Sequence, residues 1–263
     1  MKLKMIVVAL GLVASAASQA ALTPPDNLGN GEMILTVWDT NQSYTKDLGI
    51  TYTQFLASSN SSATWASLTS STSTNWTNFL ANVVDLGAVQ YAVLDAKTNN
   101  GGNNATILST INADSVAYGI QGNFNNSDTQ AAVNQVGAYY NDELYLGTMN
   151  SLPHGDSRST SGAKGYFGPV SPSPGMDTFN GSFFGNSSSI GTNMAFDLVQ
   201  RTQTTLGDPI ETIQAGVVSF NNVGGNYVLQ YSVQAVPEAS GYAMTLAGLG
   251  LIGFFGLRRR NQA

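Results

Sequence analysis

Residues 217–233, VVSFNNVGGNYVLQYSV, set two arms rich in β-branched and aromatic residues on either side of Gly224 and Gly225. Paired glycines reach positive φ at no steric cost, which a tight two-residue turn between antiparallel strands requires. The segment therefore predicts a β-hairpin. Further runs of the same character precede it. In 32–40, EMILTVWDT, Met33, Leu35 and Val37 alternate with Ile34, Thr36 and Trp38, the pattern of a strand buried on at least one face. Segments 87–96, 105–111, 115–120, 193–199 and 216–220 also predict strands. The expected fold is mainly β with minor helices, a β-sandwich-like ectodomain.

Two stretches carry helical spacing. In 63–84, Trp65, Leu68, Trp76, Phe79, Leu80 and Val83 recur at mixed three- and four-residue steps. The Ser/Thr-rich centre is poor helix material, so the expectation is two short helices, or a helix and a loop. In 128–144, Asp128 is placed to cap the first turn, with Ala132, Val136, Tyr139 and Tyr140 on one face. Residues 99–104, NNGGNN, predict a flexible turn. The stretch 151–189 holds Pro153, Pro169, Pro172 and Pro174 and predicts an irregular loop or a boundary between subdomains.

The two ends differ from this body. At the front, Lys2 and Lys4 precede an apolar run from Met5 to Val13, and small residues follow, with Ser18, Ala20 and Ala21 around a small-x-small cleavage site. Residues 1–21 therefore predict a secretory signal peptide removed by signal peptidase. At the back, an apolar run from Tyr242 to Leu257 is followed at once by Arg258, Arg259 and Arg260. As a helix it would cover about 24 Å, short of the ~30 Å hydrocarbon core but workable with snorkelling arginines. It predicts a single transmembrane helix. The arginines act as stop-transfer charges and face the cytoplasm, which leaves residues 22–235 outside.

Ahead of that run stand Val236, Pro237 and Glu238, and the run itself, LAGLGLIGFFGLRRR, is rich in Gly, Ala and Leu. The order of short motif, apolar helix and arginine cluster in 236–263 resembles the PEP-CTERM sorting signal. Ala239 stands where that family has its second proline. The resemblance implies processing by an exosortase, a membrane-embedded transpeptidase-like protease. It also implies transient anchoring in the inner membrane, then the outer envelope, cell surface or exopolysaccharide matrix of a Gram-negative bacterium.

Charge narrows the partners of the body. Between residues 23 and 236 stand five basic and fifteen acidic side chains. Such a domain repels phosphate backbones, which argues against nucleic acid. Across the chain, 76 residues are Ser, Thr or Asn, so surface polarity rests on hydroxyls and amides rather than ions. The chain has no cysteine and one histidine, His154, which argues against a Cys nucleophile and a zinc site.

His154, Asp156 and Ser157 are close in sequence, but catalytic triads draw their members from separate segments. Paired carboxylates are the remaining enzyme chemistry, with Asp95, Asp142 and Glu143 as candidates and Glu32 and Glu211 the other glutamates of the body. The oxygen-rich loop 123–128 suits calcium in composition, yet EF-hand spacing is absent, so no cofactor is expected. N-x-[ST] triplets start at Asn41, Asn60, Asn75, Asn104, Asn125, Asn180 and Asn186.

The expectation is a noncatalytic exported bacterial surface or matrix protein, associated with exopolysaccharide, biofilm or floc formation. The alternatives are a glycan-binding β-sandwich, which needs exposed aromatic rows, and a secreted carboxylate-dependent glycoside hydrolase, which needs carboxylates converging in a cleft.

Overall fold

The computed structural model describes residues 22–26, 28–98, 105–111, 126–145, 149, 155–168, 187–201 and 209–233. Among these residues, ten strands and three α-helices run in the order β1 (Glu32–Trp38), β2 (Gln42–Thr51), α1 (Tyr52–Ser58), β3 (Ala63–Leu68), α2 (Thr74–Asn82), β4 (Gln90–Lys97), β5 (Thr106–Ile111), α3 (Asn126–Tyr145), β6 (Asp156–Thr160), β7 (Ser188–Ser189), β8 (Asn193–Gln200), β9 (Ile210–Val223) and β10 (Asn226–Val233). All pairings are antiparallel, in the spatial order β3-β10-β9-β8-β5-β4-β1-β2-β6, with β7 attached to β4. The body is mainly β, as expected, but it forms one curled sheet where the sequence reading expects two stacked ones.

Aromatic contacts require the curl. Strands β10 and β2 lie six steps apart, which in a flat sheet is about 29 Å. Yet the Trp76 ring of α2 lies 4.9 Å from Tyr44 of β2 and 5.2 Å from Tyr227 of β10. Trp76 also reaches Phe220 of β9 at 6.3 Å and stacks on Phe79 at 5.5 Å. Only a strongly curled sheet lets both ends meet one indole. The concave side is thus filled by Met33, Leu35, Val37, Tyr91, Val93, Phe196, Phe220 and Leu229 from the sheet, together with Phe55 of α1 and Trp76 and Phe79 of α2.

The alternate residues face the other way. Ile34, Trp38, Ala92, Leu94, Ile107, Ile111 and Val199 form a second cluster under α3 with Ala132, Val133, Val136, Tyr139, Tyr140 and Phe167. Covering both faces of the central strands explains why β1 is buried from Met33 to Trp38 without a polar face.

The expected strands at 32–40, 87–96, 105–111 and 193–199 are β1, β4, β5 and β8, and 216–220 lies within β9. The closing hairpin is β9–β10: Val223 pairs with Asn226, and Gly224 and Gly225 have φ of 62° and 88°. The expected strand at 115–120 lies outside the described residues.

Three expectations need correction. In 63–84 only the second half is helical, as α2, because Ser73 caps it by accepting the Trp76 N–H at 3.1 Å. The first half is strand β3, since Ala63 and Thr64 on one side of Trp65 and Ala66, Ser67 and Leu68 on the other pair with β10. The helix expected at 128–144 is α3 but begins at Asn126, which puts Asp128 inside the first turn rather than at the cap. Within 151–189, Asp156–Thr160 adds strand β6 to β2.

Trp76 is the residue on which the curl closes, and it has no exposed surface. Trp76→Ala should therefore destabilise the protein by about 3–5 kcal/mol, measured as a lowered denaturation midpoint, whereas Val84→Ala at an 87% exposed site should change it by less than about 0.5 kcal/mol.

Candidate functional site

The chain leaves the described body through β10. This strand is internal to the sheet, bonded along one side to β9 and along the other to β3. At its end the Val233 N–H donates to Ser62 Oγ at 2.9 Å. Two residues earlier, Tyr231 Oη accepts the Gly216 N–H at 3.0 Å and donates to the Ser59 carbonyl at 2.8 Å. Gly216 permits this contact, because a Cβ there would sit 2.4 Å from the Tyr231 ring. Whatever follows residue 233 is thus joined to a strand held on both sides and tied by side chains to the α1–β3 connection.

The residues singled out at the two ends, Ser18, Ala20, Ala21, Val236, Pro237, Glu238, Arg258, Arg259 and Arg260, lie outside the described residues. So does the apolar run 242–257. Among the described residues no helix is long and apolar enough to cross a membrane. The described chain starts at Leu22, which is buried and donates its N–H to the Met149 carbonyl at 3.1 Å.

The carboxylate candidates fall at separate positions. Glu143 is buried where α3 crosses β2 and β6, and Ser157 Oγ donates to its Oε2. Beside it Thr45 Oγ1 lies 2.6 Å from Tyr139 Oη, whose hydroxyl reaches the Gly165 carbonyl at 3.2 Å. Burial pushes the Glu143 carboxyl up to about 7, against the lowering effect of the bonds from Ser157, Tyr139 and Thr45. Its Oε1 has no hydrogen-bond partner.

Asp95 is likewise fully buried, with the Ala96 N–H on Oδ1 at 2.6 Å and Oδ2 unpartnered, and burial holds its carboxyl well above the ordinary range. Asp142, the neighbour of Glu143, turns outward to Lys164 at 3.7 Å. Glu32 Oε2 accepts the Thr23 N–H at 2.7 Å. Glu211 is in β9. Asp95 and Glu143 have no exposed surface, so neither faces a substrate cleft in this structure.

Strand alternation separates the other suggestive group. Ser157 points to Glu143 beneath α3, while Asp156 points to the opposite face and accepts from Tyr44 Oη at 3.0 Å and Asn75 Nδ2 at 2.9 Å. His154 lies outside the described residues. A shallow depression among the described residues is lined by Asp39, Thr40, Asn41, Val84, Asp85 and Ala88. Asp39 and Asp85 each spend Oδ1 on local backbone N–H groups there. Among the described residues no three carboxylate, histidine or cysteine side chains gather as a metal site does. Of the calcium-compatible loop 123–128, residues 123–125 lie outside them and 126–128 begin α3.

Exposed aromatic rows are also missing among residues whose burial is described: Trp65 alone is half-buried, and the other rings are buried. Of the N-x-[ST] asparagines, Asn41 and Asn60 are exposed, Asn75 is engaged by Asp156, and Asn104, Asn125, Asn180 and Asn186 lie outside the described residues. The Glu143–Ser157–Tyr139–Thr45 cluster was not legible in sequence, because only the β2–β6 register and the packing of α3 bring its members together.

Comparison with known proteins adds one match. The family model of the PEP-CTERM protein-sorting motif matches residues 235–260. The chain therefore carries that sorting signal at its C-terminus, beginning two positions beyond the end of β10, and is an exported protein targeted to an exosortase. No curated protein and no solved structure matches the chain.

The Glu143 cluster makes a testable claim about pH. A carboxyl with a raised native pKa keeps a proton that the unfolded chain releases above the ordinary glutamate value. Its contribution is complete below pH ~4.5 and is lost as pH rises to about 7, roughly 3 kcal/mol in all. Denaturant unfolding between pH 4 and 8 should show this fall, and Glu143→Gln should reduce it, leaving the part that belongs to the buried Asp95. An unchanged slope in the variant would show that Glu143 is not the titrating group.

Proposed function

We propose, from the sorting motif at 235–260 as premise, that this chain is a noncatalytic surface protein displayed in the envelope or exopolysaccharide matrix of a Gram-negative bacterium. Signal peptidase removes residues 1–21, the tail holds the precursor in the inner membrane, and exosortase processing near Pro237 releases or transfers the body. The observation that carries this reading is the mode of attachment. The sorting motif follows directly on β10, an internal strand, so force on the tail is borne by hydrogen bonds on both sides of that strand. A tether on a frayed edge would peel the sheet instead.

The state of the reactive side chains supports the noncatalytic reading. Asp95 and Glu143 act inside the fold, and Ser157 serves Glu143 rather than a histidine. Burial of the described aromatic rings other than Trp65 weighs against recognition of glycans by rows of stacked rings. Association with a matrix through hydroxyls and amides fits the composition better.

Fractionation of cells expressing the wild type and two variants tests the reading. Deleting residues 237–263 should leave export intact and send folded protein into the medium. Changing Arg258, Arg259 and Arg260 to Gln should lower surface retention, because each arginine adds about 2.5–3.5 kcal/mol to the cost of crossing the bilayer centre. Intact mass of the surface form should lack both ends. A surface form still carrying Phe254 and Arg258 would mean permanent anchoring. A deletion variant retained as well as the wild type would show that the body itself binds the matrix and favour the glycan-binding reading.

A further inference from the structure

The two edges of the curled sheet are built differently. The β6 edge, sequence DSRST, carries Asp156 and Arg158, and the Asp156 carbonyl receives Asn75 Nδ2 from α2 at 3.1 Å. Charge and a side-chain cap are common ways to keep an edge from pairing with another chain. The β3 edge, sequence ATWASL, has no charged residue, and among the described residues no side chain caps it. It ends the strand order, its inner side pairs with β10, and Ala63, Thr64 and Ser67 are exposed. A bulge at Trp65 leaves that ring stacked on Tyr231 at 5.2 Å and 4°. The remaining residues up to Ser67 are small, so another backbone can approach closely.

This edge lies in a region without formal charge. No Asp, Glu, Lys, Arg or His occurs in residues 48–84, which include α1, β3 and α2, or in 212–237, which include most of β9 and all of β10. Three neighbouring strands and two helices thus contribute no ionic side chain beyond the first two residues of β9. The five basic and fifteen acidic residues of 23–236 all lie elsewhere. Two copies approaching through other surfaces meet an excess of like charge, and this edge is where they can meet without it.

We propose that the β3 edge is a self-association surface, on which β3 of a second copy of this chain pairs antiparallel about a two-fold axis. The pairing is isologous: each copy offers the same short strand, and the two sheets join into one across the dimer. Because the bulge limits the ladder, the dimer is reversible and depends on concentration. This proposal does not depend on matrix display, and either can fail alone.

Sedimentation velocity of the full chain in non-ionic detergent, over a range of concentrations, reads the mass. The wild type should pass from monomer to roughly double mass, and Thr64→Glu with Ser67→Glu should stay monomeric. Asn78→Glu with Asn82→Glu, on the exposed face of α2, should dimerise like the wild type. The chain has no cysteine, so single cysteines introduced one at a time over 63–68 give a second reading that holds even if the double variant misfolds. Oxidative cross-linking should peak at the position nearest the two-fold axis and fall on both sides, while Asn78→Cys should remain uncross-linked. A wild type monomeric at all concentrations, a Thr64→Glu/Ser67→Glu variant that still dimerises, or a cross-linking scan without a maximum would overturn the proposal.

Discussion

One indole holds the two ends of the sheet together. Trp76 touches Tyr44 on β2 and Tyr227 on β10, strands six places apart in the sheet order. Antiparallel sheets twist on their own, but a twist alone leaves two edges and one exposed apolar face. The α2 helix covers the face and one of the two edges. Its aromatic side fills the concavity, and Asn75 at its start caps the β6 edge through Asp156. The remaining aromatic contacts follow from that closure. Phe55 of α1 meets Phe196 and Tyr231 edge-on at 5.0 and 5.4 Å, an arrangement open to rings brought together from distant strands.

The opposite face depends on a different economy. There α3 lies on β4 and β5 and extends over the polar strands β2 and β6. Where it crosses apolar strands it uses Ala132, Val133 and Val136. Where it crosses Thr45 and Ser157 it offers Tyr139 and Glu143 instead, and the hydroxyls answer with hydrogen bonds. A carboxylate buried in this setting favours its protonated form, since a buried charge without a counter-ion costs more than a neutral hydrogen-bonded acid. Tyr140 plays the matching part over β1 and β4, with its hydroxyl 2.5 Å from the Glu32 carbonyl and 3.5 Å from Asp95 Oδ1. Of the carboxylate candidates, Asp95 and Glu143 are thus polar joints of the helix–sheet interface.

What the sequence revealed follows the physics of local signals. Strands β1, β4, β5 and β8 and the closing hairpin were legible because alternation and a Gly-Gly turn are encoded within a few residues. The sorting motif was legible because its elements are contiguous. Strand β2 was not, since QSYTKDLGIT presents Ser43, Thr45 and Asp47 to a buried face, contrary to the usual polar-out pattern. Strand β3 was misread because Trp65, Leu68, Trp76 and Phe79 all enter the concave core, and their merged spacing imitates a helix. The short helix α1 did leave a signal, the capping box of Thr51 and Gln54. The single sheet, in place of a sandwich, was beyond local reading, because only the distant meeting at Trp76 decides it.

The placement of charge joins the fold to its destination. At the buried positions of the α1–β3–α2 and β9–β10 region, a charge would have to share an aromatic cluster. Tyr231 illustrates the constraint. Its ring packs on Phe55 and Trp65, and its hydroxyl binds both the Gly216 N–H and the Ser59 carbonyl. That hydroxyl is neutral, and burial shifts its ionisation upward. An ionic residue in its place would need desolvation that no partner in this region could offset. Packing thus accounts for the absence of charge at the buried positions around the exit strand. The exposed Ala63, Thr64 and Ser67 of the neighbouring edge are uncharged too, so that edge lacks the electrostatic protection that the β6 edge has.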